Sequence, residues 1–323
     1  MRTVVCKQLG PLSDLVVEDA ERPKPGEGQV VVDVRAAGVN FVDGLLCQGQ
    51  YQIKPPVPFY PGGEIAGEVS SIGEGVTGVA VGDRVIAYTG FGGFAEQVVV
   101  PALSLVAMPG GLGFGQAATL IQSYGTILFT LTRRTSVQPG EWVLVLGAGG
   151  GVGLAAIDLA RALGARVIAA ASTQEKLDRA MAMGAEATIA YEDEDLKVRA
   201  RELSGGGVDV VIDPVGGRHS EPALRATGPF GRFCVIGFAS GPIASVPLNQ
   251  VLLNNRTVVG VDWGAWTFRD PMGNREMLAE LVAMIDDGRL HPTVPTEYPL
   301  DQAAAVMSGL IDRSLSGKVV LVP

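Results

Sequence analysis

The chain has few of the residues that build disulfide frameworks and metal centres. Its 323 residues include only three cysteines and two histidines. Cys6, Cys47 and Cys234 are far apart and odd in number, so they match neither a set of paired disulfides nor the close spacing of zinc ligands. The cysteine content therefore excludes a disulfide framework and gives no sign of a zinc-binding motif.

Positive charge and long apolar runs are scarce as well. The net charge is -9, and no basic cluster offsets it, which argues against a nucleic-acid partner. No apolar run is long enough to span a membrane, and the chain enters a strand-like segment at Met1–Lys7 instead of a signal peptide. We therefore expect a cytoplasmic protein that binds neither nucleic acid nor membrane.

The chain is long and rich in apolar residues. Hydrophobic residues make up 47% of the sequence and charged residues 18%, which is typical of a well-buried globular protein. A chain of 323 residues is too long for one ordinary core. The length therefore predicts two domains.

The stretch from Glu141 to Gly164 carries the most information. The apolar run Trp142–Leu146 predicts a buried parallel strand, and a glycine cluster follows it at once. Apolar residues then recur at helical spacing until Gly164. This order directs free backbone N–H groups and the positive end of a helix toward a phosphate. The stretch therefore predicts a dinucleotide site.

The glycine pattern in this stretch is incomplete. Residues Ala148 to Gly153 read A-x-G-G-V-G, so alanine replaces the first glycine of the G-x-G-x-x-G fingerprint. Gly150 still permits close approach of a pyrophosphate, and Gly153 still permits close packing of helix against strand. The alternative is a glycine turn that binds nothing, as occurs in many α/β proteins.

The first part of the chain, up to about residue 120, predicts short strands separated by turn clusters. Such a pattern favours a small barrel or sandwich. The predicted strands are Thr3–Cys6, Leu15–Asp19, Gln29–Ala37, Ile65–Ile72, Arg84–Tyr88 and Phe94–Val100.

The later part alternates between strands and helices, which predicts a doubly wound parallel sheet. Helical spacing covers Ala117–Thr135 before the strand at Trp142. The further predicted strands are Ala165–Ala171, Thr188–Ala190, Val208–Ile212, Gly231–Ile236, Arg256–Asp262 and Gly317–Val322. The further predicted helices are Gln174–Met183, Asp195–Leu203, Asn274–Asp287 and Leu300–Ile311.

Several motifs in a fixed order resemble the zinc-free quinone oxidoreductase branch of the medium-chain dehydrogenases/reductases, which includes zeta-crystallin. They are AAGVNFVDGLLCQGQY (36–51), PGGEIAGEV (61–69), VGDRV (81–85), GGFAEQVVV (92–100), AGGGVG (148–153), MGAEATIAY (183–191), VDVVIDPVGG (208–217) and GRFCVIGFASG (231–241). The resemblance implies an α/β protein with a GroES-like β-barrel catalytic domain (1–120), an inserted Rossmann NADP(H)-binding domain (121–262) and a C-terminal return to the catalytic domain (263–323). It places the active site in the cleft.

The sequence departs from the zinc alcohol dehydrogenases of this superfamily at their metal ligands. Asn40 stands where those enzymes have a cysteine, and Gly63-Glu64 stands where they have a His-Glu pair. The four closely spaced cysteines of their structural zinc lobe are missing as well. A catalytic zinc needs three protein ligands and one open position. We therefore expect no metal, and reduction of an acceptor already activated by conjugation.

The end of the second predicted strand indicates which cofactor binds. NAD enzymes place an acidic residue there for the ribose 2′-OH, whereas this strand ends at Ala171-Ser172 with no carboxylate before Glu175. Ser172 would donate to a 2′-phosphate and Lys176 would neutralise it, and Tyr191 resembles the family tyrosine beside that phosphate. We therefore expect NADPH. The alternatives are that Ser172 caps the next helix and that Lys176 is a solvated surface residue.

The other cofactor contacts follow from the resemblance. Thr126 matches a threonine near the nicotinamide ribose or carboxamide, and Lys318 lies in the closing segment that approaches the nicotinamide. The remaining expected contacts are Gly149, Gly150, Gly151, Val152 and Gly153 in the glycine turn, Ile236, Gly237, Phe238 and Ala239 after a sheet strand, and Val261, Asp262 and Trp263 at a strand end over the nicotinamide. The apolar members are also explained by a place in the core.

Asn40, Asp43 and Tyr51 are the catalytic candidates. The resemblance places Asn40 near the nicotinamide, Asp43 near the ribose or substrate, and Tyr51 facing the pocket, where it would bond the acceptor oxygen. Asn40 and Asp43 also have the spacing of a helix start, with Asn40 as N-cap and Asp43 at N3. Both roles are compatible. The two histidines, His219 and His291, are interpreted as structural or exposed.

The expected function is hydride transfer from NADPH to a quinone or conjugated enone without zinc. One alternative is an enoyl-thioester (enoyl-CoA-like) reductase, which uses the same hydride step on a C=C bond. The other is an NADPH-binding protein with a structural or sensing role and no significant turnover. The resemblance also implies a homodimer formed through the edge of the Rossmann sheet at Arg256–Asp262.

Overall fold

The computed structural model describes residues 1–323, which form two compact units. The first unit comprises Met1–Gln122, Leu278–Asp287 and Pro292–Pro323, and the second comprises Ser123–Met277 and Gly288–His291. The position expected to begin the C-terminal return, 263, lies inside the second unit. Trp266 explains this placement, because its ring stacks on Phe129 of the same unit at 4.7 Å.

The first unit contains mostly strands. Its N-terminal strands and helices are β1 (Arg2–Val5), β2 (Val16–Asp19), β3 (Gln29–Val39), α1 (Phe41–Cys47), β4 (Glu64–Ile72), β5 (Arg84–Tyr88), β6 (Gln97–Pro101), β7 (Leu105–Ala107) and α2 (Phe114–Ala117). All six predicted strands are present, and Arg84–Tyr88 has the predicted bounds. The sequence pattern did not indicate the three-residue strand β7, which is too short to show a period of two.

The chain then alternates between helices and strands. These are α3 (Ile121–Leu128), β8 (Trp142–Leu146), α4 (Gly151–Ala162), β9 (Arg166–Ala171), α5 (Gln174–Ala182), β10 (Ala187–Ala190), α6 (Leu196–Leu203), β11 (Val208–Asp213), α7 (Ser220–Ala226), β12 (Thr227–Val235), α8 (Leu248–Leu252), β13 (Thr257–Gly260), α9 (Trp263–Arg269), α10 (Pro271–Asp286), β14 (Thr296–Pro299), α11 (Ala303–Ile311) and β15 (Val319–Val322). The helix predicted over Ala117–Thr135 is interrupted before α3 and ends as a π-helical segment, Phe129–Arg134.

The strands of the second unit form one six-stranded parallel sheet in the order β10-β9-β8-β11-β12-β13. The order is that of a Rossmann fold, so the predicted doubly wound sheet is confirmed. From β8, the strands β9 and β10 follow toward one edge of the sheet. From β11, the strands β12 and β13 follow toward the other edge. Ligands of such sheets bind at the carboxyl ends of the strands where this reversal occurs. The end of β8 is the start of the predicted glycine turn.

The larger sheet of the first unit has seven strands, in the order β14-β15-β3-β4-β5-β7 with β6 also paired to β3. All its pairs are antiparallel except β14 with β15. The last strand, β15, pairs with β3 through Val320 opposite Gly38. On its other side β3 pairs with β4 through Gly38 opposite Glu64. This register brings the end of the chain and the start of β4 to the same point of the sheet.

No helix of the structure combines the length and the apolar character needed to cross a bilayer.

Candidate functional site

The glycine turn after β8 requires glycine at two positions. Gly147 has a φ of +60°, and a Cβ added there would lie 2.8 Å from Val215 Cγ2. The left-handed residue of the turn is therefore Gly147, and Ala148 replaces a glycine that the backbone here does not need. A Cβ on Gly153 would lie 2.4 Å from the Gly147 carbonyl oxygen. Gly153 therefore allows α4 to pack closely against the turn, as the sequence predicted.

The start of α4 has the properties of an anion-binding site. Gly150 is the N-cap and has no side chain to accept from the first N–H groups, which belong to Gly151, Val152 and Gly153. A Cβ on Gly150 would have a single close neighbour, the Gly147 carbonyl oxygen at 3.4 Å, so the space beside it is open. Three backbone donors at the positive end of a twelve-residue helix favour a phosphate at this point.

Lys176 lies directly against this turn. A Cβ on Gly149 would lie 2.5 Å from Lys176 Cβ, so glycine at 149 makes room for the lysine. The Lys176 ammonium donates to Ser172 Oγ over 3.2 Å. The N-cap of α5 is Thr173, whose Oγ1 accepts from Lys176 N. The alternative interpretation of Ser172 as the helix cap is therefore wrong, and its hydroxyl is directed to Lys176 instead.

Tyr191 lies at the neighbouring strand end. Its backbone N–H donates to Ala171 O over 3.3 Å, which places it beside Ser172. The Tyr191 ring packs against the His219 ring, with 4.1 Å between the ring centroids and an angle of 39° between the planes. The His219 side chain is only 12% exposed. Nothing in the local sequence pattern indicated that this histidine would meet the predicted cofactor residues.

Glu175, the first carboxylate after β9, is not directed at the strand end. Its side chain pairs with Arg179 one turn further along α5. No acidic side chain therefore occupies the position that would bind a ribose 2′-OH in an NAD enzyme.

The segment after β12 lies against the end of β11. Ile236 N donates to Asp213 O over 2.9 Å, and Ala239 N donates to Pro214 O over 3.1 Å. Phe238 packs on Gly216, where an added Cβ would lie 2.9 Å from Phe238 Cδ1. The predicted contacts Ile236, Gly237, Phe238 and Ala239 therefore border the same carboxyl edge of the sheet as the glycine turn.

A buried aspartate that the sequence analysis did not single out holds this edge together. Asp213 Oδ1 accepts the N–H groups of Val215 and Gly216 over 2.9 and 2.8 Å. Its Oδ2 accepts the Ser220 hydroxyl over 2.6 Å. The sequence could have indicated this role, because Asp213 ends an apolar strand and a buried carboxylate needs hydrogen-bond donors.

The residues around position 262 differ from the prediction. The strand expected over Arg256–Asp262 comprises Thr257–Gly260 only, because Asp262 is the N-cap of α9 and its Oδ1 accepts Ala265 N over 2.9 Å. Trp263 is buried in α9 and donates its indole N–H to Asn274 Oδ1 over 3.0 Å. The side chains of Asp262 and Trp263 thus form hydrogen bonds within the second unit. Val261 continues the sheet, because its N–H donates to Val235 O.

Thr126 is half-buried in α3, where its carbonyl oxygen accepts the Thr130 hydroxyl over 2.7 Å.

In the first unit, Asn40 and Asp43 form the predicted helix start. Asn40 is the N-cap of α1, and Asp43 Oδ2 accepts its backbone N–H over 2.7 Å. Asp43 is buried, and this burial raises the pKa of its carboxyl from 3.8 to about 7. The N–H groups of Asn40 and Gly63 oppose the rise, and the nearby Glu64 adds to it.

Glu64 connects Asn40 to the start of α3. Its Oε1 accepts Asn40 Nδ2 over 2.8 Å, and its Oε2 accepts Gln122 N over 2.9 Å. Burial raises the pKa of Glu64, while Lys318 and the bonds from Gln122, Asn40 and Ile121 oppose that rise. The sequence analysis had noted Glu64 only as a neighbour of a missing metal ligand.

Lys318 belongs to the same buried cluster. Its ammonium donates to Thr119 O over 2.9 Å. Burial lowers its pKa to about 8, and Glu64 opposes the decrease. The structure thus joins Asn40, Asp43 and Lys318 around Glu64, whereas the half-buried Tyr51 follows α1 and packs against the apolar core of the first unit.

We expect Asp43→Asn to flatten the pH dependence of stability. A carboxyl with a raised folded-state pKa binds its proton more tightly in the folded protein, so its stabilising effect is complete below about pH 4 and is lost as the pH rises through about 7. Asparagine has no such proton. The Tm advantage of the wild type over the variant should therefore shrink from pH 5 to pH 8, measured by calorimetry.

The exposed Asp83 provides the control for this experiment, because Asp83→Asn removes a carboxyl that is not buried. Its Tm curve should run parallel to that of the wild type. A parallel curve for Asp43→Asn as well would show that Asp43 titrates normally.

The chain matches two family descriptions. Residues 26–110 match the alcohol dehydrogenase GroES-like domain, and residues 151–285 match the zinc-binding dehydrogenase family. Despite the second description, no three His, Cys, Asp or Glu side chains of this chain are grouped so that they could hold a metal ion. The first match confirms the expected GroES-like domain.

Several curated relatives and solved structures that resemble the chain are named quinone oxidoreductases or quinone oxidoreductase-like proteins. A quinone oxidoreductase-like protein 2 homolog of Nematostella vectensis is 41% identical over 99% of this chain and 88% of the relative. The Escherichia coli quinone oxidoreductase complexed with NADPH superposes with a TM-score of 0.90 and 30% identity. The Thermus thermophilus quinone oxidoreductase, also solved with NADPH, gives 0.87 and 35%. Both alignments cover 100% of each chain.

Proposed function

The chain belongs to the quinone oxidoreductase branch of the medium-chain dehydrogenases/reductases, and we propose that it transfers a hydride from NADPH to a quinone or conjugated enone without a metal ion. The observation that carries the proposal is the contact of Lys176 with Gly149 and Ser172. It places a cation and a hydroxyl beside a helix start that favours phosphate. The family relationship supports the type of acceptor.

The residues of the second unit fit NADPH. The N–H groups of Gly151, Val152 and Gly153 would bind the pyrophosphate in the space that Gly150 leaves open. Ser172 and Lys176 would bind the 2′-phosphate, with Tyr191 beside it. When bound, NADPH supplies the hydride from C4 of its nicotinamide.

The residues of the first unit do not fit a catalytic zinc ion. Asn40 and Gly63 stand where a thiolate and an imidazole would be needed, and the Asn40 amide donates to Glu64 through Nδ2. A side chain on Gly63 would collide with Gln122, whose Nε2 lies 2.5 Å from the Cβ position. The buried ammonium of Lys318 near Glu64 would repel a second cation. These contacts support zinc-independent chemistry.

Asn40, Asp43 and Tyr51 would act on the acceptor. Asn40 is held by two hydrogen bonds, so its amide would meet a bound carbonyl in one orientation. Asp43 has a pKa of about 7 and so retains a proton on part of the molecules at neutral pH. Tyr51 and water are the other sources of the proton that the reduced acceptor needs.

A panel of acceptors tests this function. NADPH and NADH are each mixed with benzoquinones and naphthoquinones, conjugated enones and enoyl-CoA esters, and the nicotinamide absorbance is followed. We expect oxidation of NADPH by quinones or enones. Turnover of enoyl-CoA esters alone would identify the enoyl-thioester reductase instead. Tight NADPH binding without any oxidation would identify a binding protein and refute the enzyme.

Lys176→Ala tests the cofactor part separately. Loss of a charged hydrogen bond of about 1.5–3 kcal/mol should raise the KM for NADPH roughly 10- to 100-fold and leave the KM for NADH nearly unchanged. Lys24→Ala is the matched control, because Lys24 is exposed in a loop of the first unit. An equal rise for both cofactors would contradict a 2′-phosphate contact.

We also propose a homodimer formed through β13, which lies at the edge of the second unit's sheet. An edge strand leaves one side of its backbone unpaired by the sheet. Val258 of β13 and the side chains of Leu248, Leu252 and Leu253 in and after α8 are exposed. Such a surface suits a twofold interface. Light scattering should therefore give twice the 33.5 kDa chain mass; a monomer at micromolar concentration would refute the dimer.

Arg256, the first residue of the strand that was expected to pair, has another role. It is buried, and its guanidinium donates to the carbonyl oxygens of Thr227 and Gln250. It is therefore part of the second unit's interior and not of the proposed interface.

A further inference from the structure

We infer that Glu64 is a positioning residue that holds the Asn40 amide in its working orientation. The inference rests on the proposed reductase function, in which Asn40 meets the acceptor. No motif in the sequence assigned Glu64 a role beyond the absence of a metal site.

The contacts of Glu64 determine how the Asn40 amide lies. Oε1 accepts Asn40 Nδ2 over 2.8 Å, so the amide nitrogen faces Glu64. An amide can otherwise turn over and exchange its donor and acceptor ends. The same residue is fixed at its backbone by Asp43, which accepts Asn40 N over 2.7 Å. Backbone and side chain of Asn40 are thus held by two different carboxyl groups.

The second oxygen of Glu64 is also occupied by donors. Oε2 accepts Gln122 N over 2.9 Å, and Ile121 N supplies a further bond to this carboxyl group. These two N–H groups belong to the first turn of α3, where a negative charge is favourable. An ionised carboxylate accepts all these donors without a competing O–H group, whereas a protonated carboxyl would make one oxygen a donor as well.

Two glycines make the space that the carboxylate needs. A Cβ on Gly38, which faces Glu64 across the β3–β4 pair, would lie 2.7 Å from Glu64 Oε1 and 2.2 Å from Ala118 O. A Cβ on Gly63 would collide with Gln122. A side chain at Gly38 would displace Glu64 itself or the Ala118 carbonyl group, whereas one at Gly63 would displace the Gln122 side-chain amide.

Stability does not account for two buried ionisable groups of this kind. Desolvation of a carboxylate and an ammonium costs several kcal/mol each, and apolar replacements of the same shape are often neutral or stabilising. Glu64 is 1% exposed and Lys318 is 9% exposed. The hydrogen bond from Asn40 gives the buried carboxyl of Glu64 a role that packing alone does not explain.

Glu64→Gln, Asn40→Ala and the double variant test the inference. Glutamine turns an N–H donor toward Asn40 Nδ2 or toward the start of α3, so the amide is no longer held. We expect kcat to fall about 100-fold in each single variant, with the Kd for NADPH within threefold of wild type. If Glu64 acts through Asn40, the double variant should fall no further than Asn40→Ala. Effects that multiply would refute the inference.

Glu68→Gln is the matched control. Glu68 lies on the same strand, β4, but its side chain is 38% exposed and pairs with Arg35 at 3.3 Å. Its removal should leave kcat and Tm unchanged.

A readout that needs no turnover separates this inference from the proposed function. In 15N spectra, the Asn40 side-chain amide, assigned by its loss in Asn40→Ala, should exchange slowly with solvent in the wild type and rapidly in Glu64→Gln. Unchanged exchange would overturn the inference. If no acceptor is reduced by the wild type, the proposed function fails, and the amide exchange still decides the role of Glu64.

Lys318→Met provides a second variant in case Glu64→Gln does not fold. Without the ammonium, Glu64 keeps its proton to a higher pH, and the neighbouring Asp43 is the other group that titrates here. We expect the rising limb of kcat against pH to lie at higher pH in this variant than in the wild type. An unmoved limb would show that the charge of Glu64 is not required.

Discussion

Gly150→Ala should lower the affinity for NADPH by roughly 100-fold or more and leave the fold intact. The added methyl group would approach only the Gly147 carbonyl oxygen, at 3.4 Å, and the backbone at Gly150 has a φ of -86°, which alanine adopts readily. The methyl group would instead fill the open space at the start of α4. Displacing a phosphate from two charged hydrogen bonds of about 1.5–3 kcal/mol each accounts for the size of the effect.

Gly153→Ala should show the opposite combination. Its methyl group would lie 2.4 Å from Gly147 O and 2.7 Å from Ala148 Cα, which are backbone atoms that cannot rotate away. We expect a loss of about 1–3 kcal/mol in the free energy of unfolding. Any loss of NADPH affinity would then follow from the distorted turn.

Gly111→Ala is the control for both variants, because no atom lies within 4 Å of a Cβ at that position and its φ is not positive. NADPH titrations followed by fluorescence and denaturant unfolding measure the two quantities. Normal NADPH affinity in Gly150→Ala would show that the pyrophosphate does not approach the backbone there, and the proposed cofactor site would have to be abandoned.

Asp158→Ala should cost about 3–5 kcal/mol of unfolding free energy, the largest stability loss that we expect from a single side chain. Asp158 lies in α4 and is fully buried. Its Oδ2 accepts the Tyr124 hydroxyl over 3.0 Å and His291 N over 2.7 Å, and its Oδ1 accepts Arg161 over 3.0 Å. Alanine would leave the buried Tyr124 hydroxyl and the His291 N–H without this acceptor.

Tyr124→Phe separates one of these bonds from the rest. It removes only the hydroxyl, whose pKa is raised well above its usual range by burial and by Asp158. We expect a loss of about 1–2 kcal/mol, since the carboxylate keeps its other donors. Urea unfolding of the second variant therefore measures the hydroxyl alone.

Asp178→Ala is the matched control on the next helix. Asp178 is exposed on α5, where it accepts Gln174 Nε2 over 2.7 Å, and its removal should change stability by less than about 0.5 kcal/mol. If Asp158→Ala were as mild as Asp178→Ala, the segment 288–291 would not depend on Asp158. The interpretation of Asp158 as the group that holds His291 N would then be wrong.

The parts of the fold that were predicted well are those with strong local signals. Trp142–Leu146 was correct to the residue because a short apolar run ended by glycines has few other interpretations. The capping pair at Asn40 and Asp43 was recognised because caps depend on residues three apart. Short helices such as α9 were missed, since seven residues show too little periodicity.

In the candidate site, too, contacts between residues close in sequence were predicted and contacts between distant residues were not. Lys176 and Ser172 are four residues apart on one turn, so their meeting could be anticipated. The contact between the Tyr191 and His219 rings joins residues that follow different strands, and no local sequence pattern predicts it. Lys318 was expected near the cofactor from family resemblance, yet its bond to Thr119 O could only be seen in the structure.

By itself, the sequence determined the glycine turn that we propose to bind phosphate and the expectation of NADPH as cofactor. Both depend on neighbours along the chain: glycine conformations, a helix start, and the absence of a carboxylate after β9. The tertiary structure alone decided that Glu64 and Lys318 meet beside Asn40. Their meeting depends on strand register, because Gly38 faces Glu64 on one side and Val320 on the other. A register shifted by one residue would turn every one of these side chains to the opposite face of the sheet.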